Sequence, residues 1–376
     1  MNKPEQKVGI LTFHMAHNYG AMLQAYALET AIRNLGFQCE VIDYRFPYID
    51  SWSRIEWFDD LINRYGVISG SARYINRLLH GYYSPNNMHI RFNDFERNII
   101  HHSEKIYRNK KEIDYLPYDV IVFGSDQIWN SALTDGIAEE YIGGFKTNNG
   151  TRKISYAASC GLSDFQEDSR DLYYTYLKDF SEISVREHSF QNTLVSRGFD
   201  AKWVLDPTML LSKEDYLSLL NDNVSYEEDY LLIYAFEEDV KMYDAIRSYA
   251  YNRGYKIIAI AYKKKAEMHG MDVRTNCGPL DFLSLIYHAK HVITTSFHGV
   301  VFSILFQKTF HCIPHPNYHE RTDSLLEMFG LQSCNVRNFH DLKDIQIDWD
   351  AVNQILKIEK EKSLFFLNQS LSYKAV

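Results

Sequence analysis

The stretch KVGILTFHMAHNYGAMLQAYALETAIRNLGFQCEVIDY, residues 7–44, decides the fold class. Its apolar run at residues 7–13 predicts a strand, and the apolar spacing of residues 20–35 predicts a helix with one buried face. Gly36 is suited to ending that helix, and residues 39–44 are typical of a second strand. Strand, helix and strand in this order predict a βαβ unit of a doubly wound parallel sheet.

The same alternation continues along the chain, with short β-branched runs followed by helical periodicity. Strands are predicted within residues 119–130, 154–161, 183–187, 201–207, 230–236, 256–262 and 291–296. Helices are predicted at residues 165–180, from 189, and at 238–253, 278–289, 299–308 and about 350–368. Because the alternation restarts near residues 181–184, we expect an α/β protein with two Rossmann-like, doubly wound domains that face a cleft.

The predicted domain division follows from that restart. Residues 1–182 form the first domain, and its segment at about 45–117, aromatic, charged and poor in strands, is predicted to be a helical insertion. Residues 183–345 form the second domain, and residues 346–376 contribute a C-terminal helix that braces the first.

Composition excludes several function classes. The chain has 40 Lys and Arg against 49 Asp and Glu, a formal charge of −9, which disfavours nucleic-acid binding because that needs a concentrated basic surface. Five cysteines with no CxxC pair predict reduced thiols and no metal site. No run resembles a signal peptide or membrane span, so we expect a cytoplasmic protein, with peripheral contact at the inner membrane face left open. Oligomeric state is also left open.

The turn after the first strand carries His14, His17, Asn18 and Tyr19, which are candidate substrate-binding residues. Asn18 is a suitable N-cap, and Gly20 would let the helix start close to the strand end. For His14 and His17, substrate contact and simple filling of the turn remain equal alternatives.

A second polar group follows the apolar run that ends at Gly124. Asp126 could orient a ligand hydroxyl or accept its proton, and Trp129 could offer an apolar platform to a ligand such as a sugar. Ser125 and Gln127 are further binding candidates. The alternative is that this group merely closes the strand with an Asx turn or N-cap.

A third group, Ser296, Phe297, His298 and Gly299, links a predicted strand to an apolar helix. Ligands of open α/β sheets collect at the carboxyl ends of strands, and a helix N-terminus offers free N–H groups to an anion. His298 could contact such an anion or supply a proton. A helix-capping turn with a packed histidine is the alternative.

Five ordered motifs together resemble the polysaccharide pyruvyl transferase family: HNYGAMLQAYAL, VFGSDQIWN, SVRE, LDPTMLL and GPLDFLSLIYHAKHVITTSFHGVVFSILF. The resemblance runs from Lys7 to about Leu331 and is weak in the insertion and the C-terminal tail. It implies a GT-B-like fold and an enzyme that moves the enolpyruvyl group of phosphoenolpyruvate onto two hydroxyls of a sugar, forming a pyruvate ketal and releasing phosphate. It also implies no nucleotide, cofactor or metal.

The resemblance also assigns roles to individual residues. It implies that His298 contacts phosphoenolpyruvate and that Arg186, expected at the end of the second domain's first strand, binds one of its anionic groups. We expect Asp126 to act on the acceptor side. Arg321 is either a further anion contact or an ordinary solvated loop arginine. Asp206 is expected to be structural, orienting Arg186.

The acceptor is expected to be a sugar of a surface polysaccharide or a lipid-linked oligosaccharide. A nucleotide-sugar glycosyltransferase on the same architecture and a non-catalytic glycan-binding relative remain alternatives. A Rossmann dehydrogenase is excluded, because HMAHNYG is not a GxGxxG fingerprint.

Overall fold

The computed structural model describes residues 6–49, 61–62, 66–79, 87–220, 228–235, 240–314, 319–339 and 342–372. Two parallel β-sheets with helices packed against them make up these residues, which confirms the α/β, GT-B-like prediction of two doubly wound units. Most predicted elements overlap the observed ones, although the strand predicted at 154–161 runs from Arg152 to Ser155. The first helix, for example, begins at Tyr19 and ends at Asn34.

The first sheet has six strands in the order β2-β1-β3-β4-β5-β6, all paired in parallel. They are β1 (Lys7–Leu11), β2 (Gln38–Val41), β3 (Val120–Phe123), β4 (Arg152–Ser155), β5 (Phe180–Val185) and β6 (Ala201–Trp203). The helices of this part of the chain are α1 (Tyr19–Asn34), α2 (Val67–Leu79), α3 (Met88–Ile99), α4 (Arg170–Leu177), α5 (His188–Ser196) and α6 (Lys213–Leu217).

The second sheet has five strands in the order β11-β10-β7-β8-β9, again all parallel. They are β7 (Tyr230–Tyr234), β8 (Lys256–Ile260), β9 (Asp272–Arg274), β10 (His291–Thr294) and β11 (Thr309–Cys312). The remaining helices are α7 (Val240–Tyr251), α8 (Pro279–His288), α9 (Phe297–Leu305), α10 (Glu320–Met328) and α11 (Trp349–Ser372).

The prediction that the second unit starts at residue 183 is wrong, because the strand at this position belongs to the first sheet. Strand β5 pairs with β4 on one side and with β6 on the other, so it lies inside the first sheet. The second sheet begins only at Tyr230. Sequence alternation could not reveal this, because a strand followed by a helix looks the same whichever sheet it joins.

The predicted insertion at about 45–117 is helical where the structure describes it, in α2 and α3. Its residues 50–60, 63–65 and 80–86 lie outside the described residues. Helix α3 packs against both α1 and α8, so it contacts both units. Beyond α3 the chain also makes parallel bridges beside β2, from His102 to Val41 and from Tyr107 to Tyr44, which a purely helical insertion would not make.

Helix α1 joins the two units through its first residue. The Tyr19 ring stacks on that of Phe282 in α8, with centroids 4.8 Å apart, and its hydroxyl donates to the carbonyl of Cys277 at 3.0 Å. Asn18 is the N-cap, accepting a hydrogen bond from the backbone N–H of Ala21, as predicted.

Helix α11 returns to the first sheet. The Ser363 hydroxyl accepts from the backbone N–H of Leu205, and the Arg152 guanidinium donates to the carbonyls of Ser370 and Leu371. Within the described part of the chain, no helix has both the length and the apolar character that crossing a membrane requires.

Candidate active site

A cavity of about 230 Å³ lies where the carboxyl ends of the two sheets meet. It brings together seven of the sequence-predicted residues: Asn18, Asp126, Gln127, Ser296, Phe297, His298 and Arg321. Asn18, Asp126 and Gln127 follow strands of the first sheet, whereas Ser296, Phe297 and His298 follow β10 of the second. The candidate site is therefore shared between the two units, as ligand sites at strand ends of open α/β sheets commonly are.

His298 is held at the start of α9. Ser296 caps this helix by accepting from the backbone N–H of Gly299, and Gly299 is needed because a Cβ there would lie 2.2 Å from Oγ1 of Thr294. His298 is 5% exposed, and its Nε2 lies 3.7 Å from Oδ1 of Asp206. Its other ring nitrogen packs against Gly20, where an added Cβ would lie 1.9 Å from Nδ1. A glycine at residue 20 therefore leaves room for the histidine ring. This requirement for glycine is additional to the predicted one, which was a helix start close to the strand end.

Asp206 is the centre of a buried polar network. Its Oδ2 accepts hydrogen bonds from Arg186 at 2.8 Å and from the Ser125 hydroxyl at 2.9 Å, while Oδ1 accepts from the Thr208 hydroxyl and backbone N–H. Burial alone would raise the pKa of this carboxyl, but His298 and Arg186 hold it well below its usual range. Asp206 is therefore a carboxylate that hydrogen-bonds Arg186 and lies close to His298, a larger role than the orientation of Arg186 alone.

Arg186 follows β5 of the first sheet, and not a strand of the second unit as predicted. It is 4% exposed and lies behind Phe297, with its guanidinium carbon 4.3 Å from the ring centroid. Burial would lower its pKa, but Asp206, Glu187 and Asp126 raise it above the usual arginine value. Arg186 does not line the cavity but lies behind the residues that do. The predicted direct contact with an anionic ligand is therefore not supported by its position.

Two nitrogens of Arg186, Nε and one terminal nitrogen, make no hydrogen bond to any described residue. Their nearest carboxylates are Glu187, 3.6 Å from Nε, and Asp126, 3.9 Å from the terminal nitrogen. Burial raises the pKa of Glu187, an effect that Arg186 and a hydrogen bond from Ser159 oppose. The guanidinium thus carries its positive charge towards Asp126 in the cavity wall.

Asp126 adopts a left-handed backbone conformation, with φ of 72°. This region is uncommon for residues other than glycine, although aspartate tolerates it better than most. A bridge to Ala158, which itself pairs with β5, holds the backbone there. With this geometry Asp126 borders the cavity, and its acceptor-side role stays a prediction.

Trp129 is not a sugar platform. It is 1% exposed, its indole N–H donates to the carbonyl of Tyr141 at 2.9 Å, and its ring packs among Phe165, Phe180 and Phe190. Its surroundings are those of an ordinary core tryptophan. Ser125 is likewise buried and serves Asp206, so it does not line the cavity.

The two histidines of the first turn do not line the cavity either. His14 is fully buried beside Asp43, 3.2 Å away. The Nδ1 of His17 lies 2.6 Å from that of His89, and burial together with His89 lowers the pKa of His17 to about 4. Tyr19 is also buried, at the joint between the units. Of the four candidates in this turn, Asn18 alone borders the cavity.

One group of described side chains has the spacing of metal ligands. Single atoms of His14, Glu96 and His102 lie within 4.8 Å of one another. Arg45, however, pairs with both Glu96 and Asp43, which already neutralises the carboxylates that would attract a cation. The arrangement therefore has the character of a structural ion network.

The comparisons with known proteins agree with the motifs. A family model described as polysaccharide pyruvyl transferase matches residues 18–317. A search of curated protein sequences finds no significant match.

Several solved structures resemble the chain over most of its length. UDP-GlcNAc 2-epimerase from Methanocaldococcus jannaschii is 12% identical with a TM-score of 0.47, covering 94% of this chain and 93% of that one. Arabidopsis thaliana UGT89C1 complexed with quercetin is 11% identical with a TM-score of 0.49, covering 98% and 100%. E. coli heptosyltransferase WaaC with ADP is 11% identical with a TM-score of 0.40, covering 94% and 100%. At this level the likenesses carry no inference about function.

The family match spans most of the chain and includes Asn18 and the residues after β3 and β10 that line the cavity, together with Arg186 beneath its wall. The chain belongs to the polysaccharide pyruvyl transferase family.

Proposed function

We propose that the protein transfers the enolpyruvyl group of phosphoenolpyruvate to two hydroxyls of a sugar, forming a pyruvate ketal and releasing inorganic phosphate. One observation carries the proposal: His298 from one sheet and Asp126 from the other border the same cavity. A proton donor on one side and a carboxylate on the other are what addition of a hydroxyl to an enol ether needs.

The donor is proposed to lie against the start of α9. Phosphoenolpyruvate carries a carboxylate and a phosphate, and the cavity offers it the N-terminus of α9 and the Arg321 side chain. The half-buried Arg321 borders the cavity and also lies close enough to Glu187 to lower the pKa of that carboxyl. Arg186 then acts from beneath, holding Asp206 and Asp126 in place.

The reaction is proposed in two steps. His298 gives a proton to the methylene carbon, C2 becomes electron-poor, and the first sugar hydroxyl adds there while Asp126 receives its proton. The second hydroxyl then attacks C2 and gives its proton to His298, the C–O bond to phosphate breaks, and inorganic phosphate leaves with the bonding electrons and with the proton that Asp126 received. Fixed charges around the cavity stabilise the developing positive charge at C2.

Asp206 sets up the first step without touching substrate. Its carboxylate lies 3.7 Å from Nε2 of His298 and stays ionised because its pKa is held low. A fixed carboxylate behind an imidazole orients the ring. The arrangement suits a histidine that must deliver a proton.

The test is incubation of the purified protein with phosphoenolpyruvate and candidate surface glycans, read by phosphate release and by the mass of the product. His298→Gln and Asp126→Asn should each lower turnover by about 100-fold or more, as loss of general acid–base catalysis does. The exposed His269 supplies the matched control His269→Gln, which should keep full activity.

A His298→Gln enzyme with unchanged turnover would refute the assignment. A thermal-shift screen gives an independent check. Stabilisation by UDP- or GDP-sugars but not by phosphoenolpyruvate would favour a nucleotide-sugar glycosyltransferase instead.

A further inference from the structure

A group of lysines surrounds Tyr287, at the edge of the second sheet opposite the candidate active site. Lys290 directly precedes β10 and Lys308 directly precedes β11. Because these strands are parallel, their first residues share one edge of the sheet. Tyr287 lies near the end of α8, and Lys213 is the first residue of α6. We call these four residues the Tyr287 patch.

Two of the lysines contact the Tyr287 ring. The Nζ of Lys213 lies 5.0 Å from the ring centroid, and the Nζ of Lys308 lies 5.1 Å from it. The ring is half-buried and packs edge-on against Phe306, with centroids 5.5 Å apart, which holds it in place. The ring therefore brings together two ammonium groups that are far apart in the sequence.

The protein does not neutralise these charges. Neither ammonium group at the ring makes a hydrogen bond or an ion pair with a described residue. Asp215, close to Lys213 in the sequence, instead accepts hydrogen bonds from the backbone N–H and the hydroxyl of Ser212, both at 2.7 Å. The exposed Lys290 lies 3.5 Å from the exposed Asp229, and surface pairs of this kind are weak. Positive charge therefore predominates in the patch.

The lysines of the patch also repel one another. Lys308 is half-buried, and its burial together with the charges of Lys213 and Lys290 lowers its pKa. Each ammonium group at the ring carries N–H donors that bind no described residue. An anion at this position would offset the repulsion and accept from these donors, in a chain whose formal charge is −9.

We infer that the Tyr287 patch binds a phosphate group, held by the ammonium groups of Lys213 and Lys308. A phosphate group carries about 1.5 to 2 negative charges near pH 7, and its oxygens accept from donors on several sides. Lysine is a common phosphate ligand that acts as a point charge. A carboxylate, with a single charge, would neutralise only one of the two ammonium groups. The inference is independent of the proposed function, because the patch and the candidate active site lie at opposite edges of the sheet.

The experiment measures how fast acetic anhydride modifies individual lysines of the full-length protein, read by peptide mass spectrometry. Inorganic phosphate is compared with potassium chloride at equal ionic strength. Only the deprotonated amine reacts, so a bound phosphate that raises a lysine pKa by about one unit lowers its rate by about tenfold. We expect this protection at Lys213 and Lys308, and none at the exposed Lys178.

Two variants test whether the charges act together. Lys213→Gln should raise the ligand concentration that half-protects Lys308 by about tenfold, the usual range for loss of a charge-assisted hydrogen bond. Lys264→Gln removes the same charge at an exposed position and should leave this midpoint unchanged. No lysine is among the described residues that line the active-site cavity, so phosphate bound there does not affect the measurement.

Vesicles of phosphatidylcholine containing phosphatidic acid distinguish two sources of the phosphate group. Protection by inorganic phosphate, with or without protection by these vesicles, assigns a free phosphate or a small phosphorylated molecule. Protection by the vesicles alone assigns a lipid headgroup. Protection by neither ligand, equal protection of Lys178, protection by pure phosphatidylcholine, or an unchanged midpoint in Lys213→Gln would overturn the inference.

Discussion

Gly20 is a position where one added methyl group tests the contact between the two sheets. A Cβ at this residue would lie 1.9 Å from Nδ1 of His298. Since carbon atoms in contact normally sit about 3.5–4.0 Å apart, Gly20→Ala must push the ring away by roughly 1.5 Å. Overpacking of this kind typically costs about 1–3 kcal/mol. A displacement of about 1 Å in a catalytic group can cost about 100-fold in rate.

The expected result for Gly20→Ala is therefore a lower free energy of unfolding in urea and a fall of about 100-fold in kcat/KM for pyruvyl transfer. The structure also predicts that the effect of Gly20→Ala on the free energy of unfolding reverses its sign when the His298 ring is absent. Gly20 lies in the first turn of α1, where alanine is favoured over glycine by up to about 1 kcal/mol. In a His298→Ala background, where the ring is gone, Gly20→Ala should stabilise the protein.

The assay is a double-mutant cycle of these two substitutions, with unfolding followed by circular dichroism. A coupling energy of about 2 kcal/mol is expected, within the range measured for residues in contact. Equal effects of Gly20→Ala in both backgrounds would refute the inferred contact. Unchanged stability and turnover in the single variant would refute it equally.

Three further substitutions test other parts of the structure. Trp129→Phe should destabilise the protein by about 1–2 kcal/mol in urea unfolding while leaving the acceptor KM unchanged, because the indole is core; a raised KM with full stability would contradict this. Asp206→Asn should destabilise by about 3–5 kcal/mol, because Arg186 stays buried with one carboxylate fewer. The pKa of Asp206 is lower in the folded state than in the unfolded state, so its stabilisation is fully present above about pH 4 and is lost as the pH falls below that. In Asp206→Asn the free energy of unfolding should therefore fall less steeply with decreasing pH below about pH 4. An unchanged fall would count against the network. Burial and the nearby His311 lower the pKa of His291 to about 3, so below about pH 6.5 the unfolded state takes up a proton that the native state does not. This proton uptake lowers the free energy of unfolding by up to about 1.4 kcal/mol per pH unit between about pH 6.5 and 3, and His291→Gln should remove that loss. An equally steep pH dependence in the variant would be inconsistent with a buried neutral imidazole.

Local periodicity was sufficient to predict most helices and strands. The β1–α1–β2 unit forms as predicted, with α1 displaced by one residue, because the apolar spacing that defines these elements is contained within them. The sheet that β5 joins could not be read in the same way. Its place depends on pairing with Ile154 and Ala201, residues that its own sequence does not encode.

The residues of the candidate site were likewise predictable only in part. His298 and Asp126 were predictable because polar residues directly after buried strands collect at one edge of a sheet. The network around Asp206 was not, since its partners lie 20 and 81 residues away from it, at Arg186 and Ser125. Trp129 was misassigned because a tryptophan after a strand has the same sequence appearance whether it packs inward or faces a ligand.

The return of α11 to the first sheet has a consequence for the order of folding. Leu205 bonds to a hydroxyl that lies 158 residues further along the chain, and Gln6 to a carbonyl 365 residues further along. During synthesis the strands of the first sheet leave the ribosome long before the helix that covers them. The apolar surface that this helix buries then stays exposed, or bound to a chaperone, until the whole second sheet has been synthesised. The slow step in biogenesis is therefore expected to be the docking of this helix, and removal of residues 349–372 should leave the first sheet prone to aggregation rather than merely less stable.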